Sequence, residues 1–81
     1  MDTEWKEGNL YKIVGFNMKG HQQTVHFYRN QLVAAGITIG TIFEFIQENI
    51  SENLIEIKIN DNHVGLQKDQ IKMLRIKKYE N

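Results

Sequence analysis

One set of alternate positions is apolar in each of "TIFEFIQE" (41–48; Phe43, Phe45), "LIEIKIN" (54–60; Ile55, Ile57, Ile59) and "MLRIKK" (73–78; Leu74, Ile76). That is the spacing of strands buried on one face. Val25, Tyr28, Leu32 and Ala35 recur instead at steps of three, four and three, one stripe of a helix. A further strand, Leu10 to Phe16 ("LYKIVGF"), follows the Gly8-Asn9 break, and the polar segment Asn17 to Gln23 reads as a loop. Thr24 suits the helix N-cap and Gly36 the C′ position, where a left-handed residue ends a helix. Gly40 serves a second turn just before the strand that starts at Thr41.

Residue identity sets the strand registers. Phe43 and Phe45 share one side of their strand, and Ile55, Ile57 and Ile59 share one side of the next. Pairing Phe45 with Ile57 puts Phe43 opposite Ile59 and Glu44 opposite Lys58. Slipping by two in either direction sets Glu against Glu, which costs roughly 0.2–1 kcal/mol per pair. Asp61-Asn62 then fits a two-residue hairpin, pairing Asn60 with His63, Ile59 with Val64 and Ile57 with Leu66. "KDQIK" makes about one helical turn before the last strand, in which Leu74 and Ile76 alternate with charge. The expected fold is mostly β: a small SH3-like barrel of five strands, with one helix inserted after the first strand and a one-turn helix before the last.

Composition bounds the rest. The 81 residues (1–81) make one domain with a core over about 8–77, and there is no Cys, so packing alone must hold it. Ten basic and ten acidic residues cancel, which argues against direct nucleic-acid binding, where a basic excess is the rule. The charges are nevertheless segregated. Thr41 to Asn62 carries Glu44, Glu48, Glu52, Glu56 and Asp61 against Lys58, and Leu66 to Lys78 carries Lys68, Lys72, Arg75, Lys77 and Lys78 against Asp69. Such faces orient a protein partner, or are simply solvated strand surfaces. "MDTEWKEGNL" has no signal-peptide character and no apolar run is long enough to span a membrane, so the expected location is cytoplasmic.

Little points to catalysis. Ser51 has no His and acid at a spacing that suggests a triad, and no phosphate-binding loop of the G-x-x-x-x-G-K-[ST] kind occurs. His21, His26 and His63 are the only imidazoles, and His21 and His26 do not share a helix face. With no Cys and scattered carboxylates, neither a metal nor another cofactor is expected.

"YRNQLVAAGITIGTIFEFI" followed by "LIEIKINDNHVGLQKDQIKMLRI" resembles the ferrous iron transport protein A (FeoA) family. That family shows a helix ending in Leu-x-x-x-Gly, a Gly-hydrophobic-Thr-Pro-Gly-Thr corner, two strands and a Leu-Arg-Lys-Glu-like close. Leu32 to Thr41 and Leu66 to Ile76 carry the likeness, with Lys68 and Asp69 in the closing motif. Ile39 stands where the family often has Pro, the Asn49 to Asn53 loop lacks Pro and Gly, and Asn17 to Gln23 is longer than usual. A similar barrel ends iron-dependent repressors of the diphtheria-toxin type, but no helix-turn-helix precedes it here.

The resemblance implies a non-catalytic cytoplasmic accessory or regulator of a ferrous iron transporter, a FeoB-type membrane GTP-binding protein, held at the inner face of the membrane through that partner. It implies no catalytic residue. Alternatives are a GTPase-activating protein acting in trans, with Arg29 as the finger, and a small nucleic-acid-binding barrel resting on Lys68 to Lys78. The candidate docking residues are Arg29, Ile42, Ile46, Phe16 and Ile50. Ile42 and Ile46 fall on the outward side of their strand beside Leu54; under the helix, against Val25, Tyr28 and Leu32, they are core, and otherwise a docking patch. Phe16, Ile50 and Tyr79 are the apolar candidates for a groove among the loops 17–23 and 49–53 and the turn 69–71. That groove holds too few aromatics to favour a Pro-rich ligand.

Overall fold

Backbone hydrogen bonding gathers the alternating stretches into one antiparallel sheet. The computed structural model describes residues 5–20 and 22–80. Its elements are β1 (Leu10–Phe16), α1 (Gln22–Ala34), β2 (Ile42–Asn49), β3 (Leu54–Ile59), β4 (Asn62–Gln67), α2 (Lys68–Ile71) and β5 (Leu74–Lys78). The strands lie in the order β4-β3-β2-β1-β5, so β4 and β5 are the edges that α2 joins in sequence. This is the five-stranded, two-helix architecture that the alternation implies.

The inward positions are Tyr11, Ile13, Phe43, Phe45, Ile55, Ile57 and Leu66, all buried, and Leu32 of α1 packs into the same cluster. Each such side chain contributes about 1.5–3 kcal/mol of burial. Trp5 closes the aromatic end of this core. Its ring lies 5.6 Å from Tyr11, 5.4 Å from Phe43 and 5.7 Å from Phe45, the last edge-on. The segment before β1 is pinned there by Gly8 N–H to the Phe45 carbonyl (2.9 Å) and Phe45 N–H to the Asn9 carbonyl (3.1 Å).

The corner after α1 explains its two glycines. Gly36 N–H donates to the Val33 carbonyl at 3.0 Å and Ile37 N–H to the Leu32 carbonyl at 2.9 Å, the paired bonds of a Schellman motif. Gly36 has φ 86°, and the flanking Leu32 and Ile37 are both fully buried. Gly40, at φ 95°, turns the chain back so that its N–H reaches the Ile13 carbonyl at 2.7 Å. Thr41 Oγ1 fastens the corner from inside: it donates to the Gly36 carbonyl (3.3 Å) and accepts from Thr38 N–H (3.1 Å).

Four local expectations are corrected. Thr24 is not the N-cap: α1 starts at Gln22, because Gln22 and Gln23 are good helix formers and the break falls at Gly20, φ 119°. Ala35 lies beyond the helix and is exposed rather than part of its buried stripe. The β3–β4 turn is Asn60-Asp61, with Asn60 at φ 55°, so Ile59 pairs with Asn62, Ile57 with Val64 and Ile55 with Leu66. A shift of two residues preserves the faces, so the core is unaffected. In β2–β3, Glu44 does pair with Lys58 and Phe45 with Ile57, but a bulge at Ile46 follows, after which Gln47 pairs with Glu56 and Glu48 with Ile55. The extra residue turns Glu48 to the other side of the strand, where Lys68 Nζ meets its carboxylate at 2.8 Å.

Candidate docking surface

The residues singled out from sequence do not converge on one spot. Arg29 is exposed on α1. Ile42 pairs with Lys12 and is 37% exposed, outside the core cluster, so the helix does not bury it. Ile46 is half-buried at the bulge, and Ile50 is 78% exposed at the tip of the β2–β3 loop. Phe16, at the end of β1, is half-buried against the core. Tyr79 N–H bonds the Leu10 carbonyl (2.9 Å), at the far end of the β1–β5 ribbon from the Phe16–Leu74 pair.

Of the three segments expected to form a groove, the β2–β3 loop reaches α2, its Asn53 carbonyl accepting from Lys68 N–H at 3.4 Å, but only the other two line a common opening. The loop after β1 and the turn from α2 into β5 are tied by Asn17 N–H to the Met73 carbonyl at 2.6 Å. Between them open two clefts that share Asn17, Lys19 and Lys72. One, of about 290 Å³, is bounded by Val25, Tyr28, Asp69 and Met73. The other, of about 540 Å³, is bounded by Phe16, Met18, Leu74 and Arg75. Gln70 fixes α2 against α1: its Oε1 accepts from Gln67 N–H (3.0 Å), and its Nε2 donates to Gln31 Oε1 (3.1 Å). Ile50 lines neither cleft.

The β2–β3 loop instead borders a separate hollow on the outer face, with Asn49, Glu52, Leu54 and His63 among its walls. At its floor His63 Nδ1 donates to Glu56 Oε2 at 2.7 Å and Gln47 Nε2 donates to Glu56 Oε1 at 3.3 Å. The His63 hydrogen bond, with that from Gln47 second, holds the Glu56 carboxyl below its usual range. No group of three His, Cys, Asp or Glu side chains stands close enough to hold a metal among the described residues. His26 is exposed on α1, and His21 lies outside the described residues. No described helix is long and apolar enough to cross a membrane.

No known family model and no curated protein sequence matches the chain. Solved structures do. The iron uptake regulatory protein FeoA superposes over 94% of this chain and 90% of its own, with TM-score 0.71 and 21% identity. The chain has the fold of FeoA. A FeoA-like protein from Clostridium acetobutylicum matches over 96% of this chain and 84% of its own, with TM-score 0.75 and 15% identity. The metal-binding protein ScaR, solved with Cd2+, also matches, with TM-score 0.75 and 14% identity, but this chain spans only 33% of ScaR's length. The FeoA likeness read from the corner and the closing strand is therefore met by FeoA and FeoA-like structures along nearly the whole chain. At these identities the likeness is one of fold.

What sequence reasoning missed is the basic pair of clefts. Lys19 stands in a polar loop, and Lys72 and Arg75 lie more than fifty positions later. Their joint wall is created by the pairing of Phe16 with Leu74. The only sequence signal was the excess of bases after Leu66.

Proposed function

We propose that the protein is a FeoA-type, non-catalytic accessory of a ferrous iron transporter, acting by docking from the cytoplasm on a FeoB-type membrane GTP-binding partner. The observation that carries this reading is reciprocal coverage: 94% of this chain corresponds to 90% of FeoA, whereas the same fold is only one part of ScaR. A domain of this kind, with no catalytic constellation among its described residues, acts through its surface. Arg29, Ile42, Ile46, Phe16 and Ile50 are the positions offered for contact, and they lie on several faces rather than one.

The deciding experiment is co-purification of the chain with the detergent-solubilised transporter, with and without a non-hydrolysable GTP analogue. Binding that depends on nucleotide makes the protein a reader of the transporter's state, and binding indifferent to it makes it an assembly factor. No binding, together with normal iron-dependent growth after deletion of the gene, refutes the proposal. Exposed Arg29 also leaves room for stimulation of GTP hydrolysis in trans. An Arg29→Ala variant that leaves the partner's hydrolysis rate unchanged removes that role.

A further inference from the structure

Three cations converge on one stretch of surface without anions of their own. Lys19 comes from the loop after β1, Lys72 from the end of α2 and Arg75 from β5, and all three border the larger cleft. Among the described residues none of them makes an ion pair; the pairs present are Glu56–His63, Glu48–Lys68 and Lys78–Glu80. Arg75 stands opposite Gly15, and its stem runs 3.5 Å from where a Cβ on Gly15 would be. The missing side chain lets the arginine lie over β1. Phe16, Met18 and Leu74 add apolar side chains to the same lining, beside Asn17. Among the described residues Asp69, in the adjoining cleft, is the one acid lining either.

We infer that this cleft binds an acidic, partly apolar peptide segment of a partner protein. Carboxylates would meet Lys19, Lys72 and Arg75, and an apolar side chain between them would seat on Phe16 and Leu74. Charge complementarity carries the choice of occupant. A membrane surface fits less well, because these cations ring a concave cleft in a chain of no net charge. Nucleic acid fits less well too, because among the described residues Phe16 is the only aromatic in the larger cleft and it is half-buried, a poor platform for stacked bases. Unpaired cations beside apolar side chains keep an anionic chain in register while the apolar side chains supply contact area.

This inference does not rest on the transporter reading, since the test contains no transporter. A fluorescein-labelled peptide of alternating Glu and Leu is titrated with the full chain and followed by anisotropy at low and physiological salt. Its Gln-for-Glu counterpart is titrated in parallel. The expected result is saturable binding of the Glu peptide that weakens with salt and is absent for the Gln peptide. A Lys72→Glu/Arg75→Glu double variant should weaken it by about tenfold or more. Lys6→Glu, at the Tyr11 end of β1, should leave it unchanged. Amide spectra of the double variant matching those of the parent separate lost binding from lost fold. The proposal is overturned if the Glu peptide does not bind, if the Gln peptide binds as well, or if the folded double variant binds as tightly as the parent. It is equally overturned if phosphatidylglycerol vesicles or single-stranded RNA engage the same cations more tightly than the peptide does.

Discussion

Replacing Gly36 by Ala isolates the backbone cost of the corner after α1. A Cβ built on Gly36 would meet nothing within 4 Å, so sterics from neighbours are absent and only the left-handed conformation at φ 86° is penalised. For an L-residue that conformation costs roughly 1–2 kcal/mol. Stiffening the unfolded chain returns about 0.4–1 kcal/mol, so the net loss is about 1 kcal/mol. Gly65 supplies the control. It lies in β4, its Cβ site is equally open, and it is not at positive φ. Gly65→Ala should therefore be neutral or gain up to about 1 kcal/mol, since it incurs no left-handed penalty. In a domain of this size 1 kcal/mol moves the melting temperature by about 4–8 °C. Thermal melts of the two variants, followed by circular dichroism, should thus separate by about that amount or more. Gly36→Asn should recover part of the loss, because Asn tolerates the left-handed region. Equal melting temperatures for Gly36→Ala and Gly65→Ala would refute the account of the Schellman turn as the reason for this glycine.

Three other outcomes are expected. Phe43→Ala empties a site 1% exposed at the centre of the aromatic cluster and should cost about 3–5 kcal/mol by urea titration; a loss under about 1 kcal/mol would mean the cluster does not bind the sheet together. His63→Ala should raise the Glu56 titration midpoint toward that of an ordinary glutamate, read from carboxyl carbon shifts. Because Glu56 is held low in the folded state, its contribution to stability is present above the usual glutamate range and fades as pH falls through the lowered midpoint. A midpoint unmoved by the substitution would assign the depression to another cause. Lys68→Ala, which breaks the 2.8 Å pair with Glu48 at the start of α2, should lower stability by only about 0.2–1 kcal/mol, and a much larger loss in urea melts would show the pair to be more than a surface bridge.

The parts of the fold that sequence reveals are those in which local chemistry and global packing demand the same residue. Gly36 ends a helix and also brings buried Leu32 and Ile37 together, so one glycine marks both events. Phe45 against Ile57 and Glu44 against Lys58 satisfy burial and charge in a single register. Where only one demand operates, the reading slips. The β3–β4 turn moved by one residue, and the pairing by two, because both placements keep every isoleucine inward, and the left-handed tolerance of Asn60 decided between them. The bulge at Ile46 leaves no mark in the alternation of "TIFEFIQE"; it shows only through its effect, Glu48 turned toward Lys68. Trp5 sits in a charged segment where no periodicity points inward. The docking surface is least legible because it is a property of pairing rather than of any segment. Phe16, Lys19, Lys72 and Arg75 become neighbours only once β1 and β5 are joined. The charge excess after Leu66 therefore gave the sign of this surface, while its cleft and its third cation came from β1's side of the fold. A charge run read along the chain thus tells what a partner must carry before it tells where that partner sits.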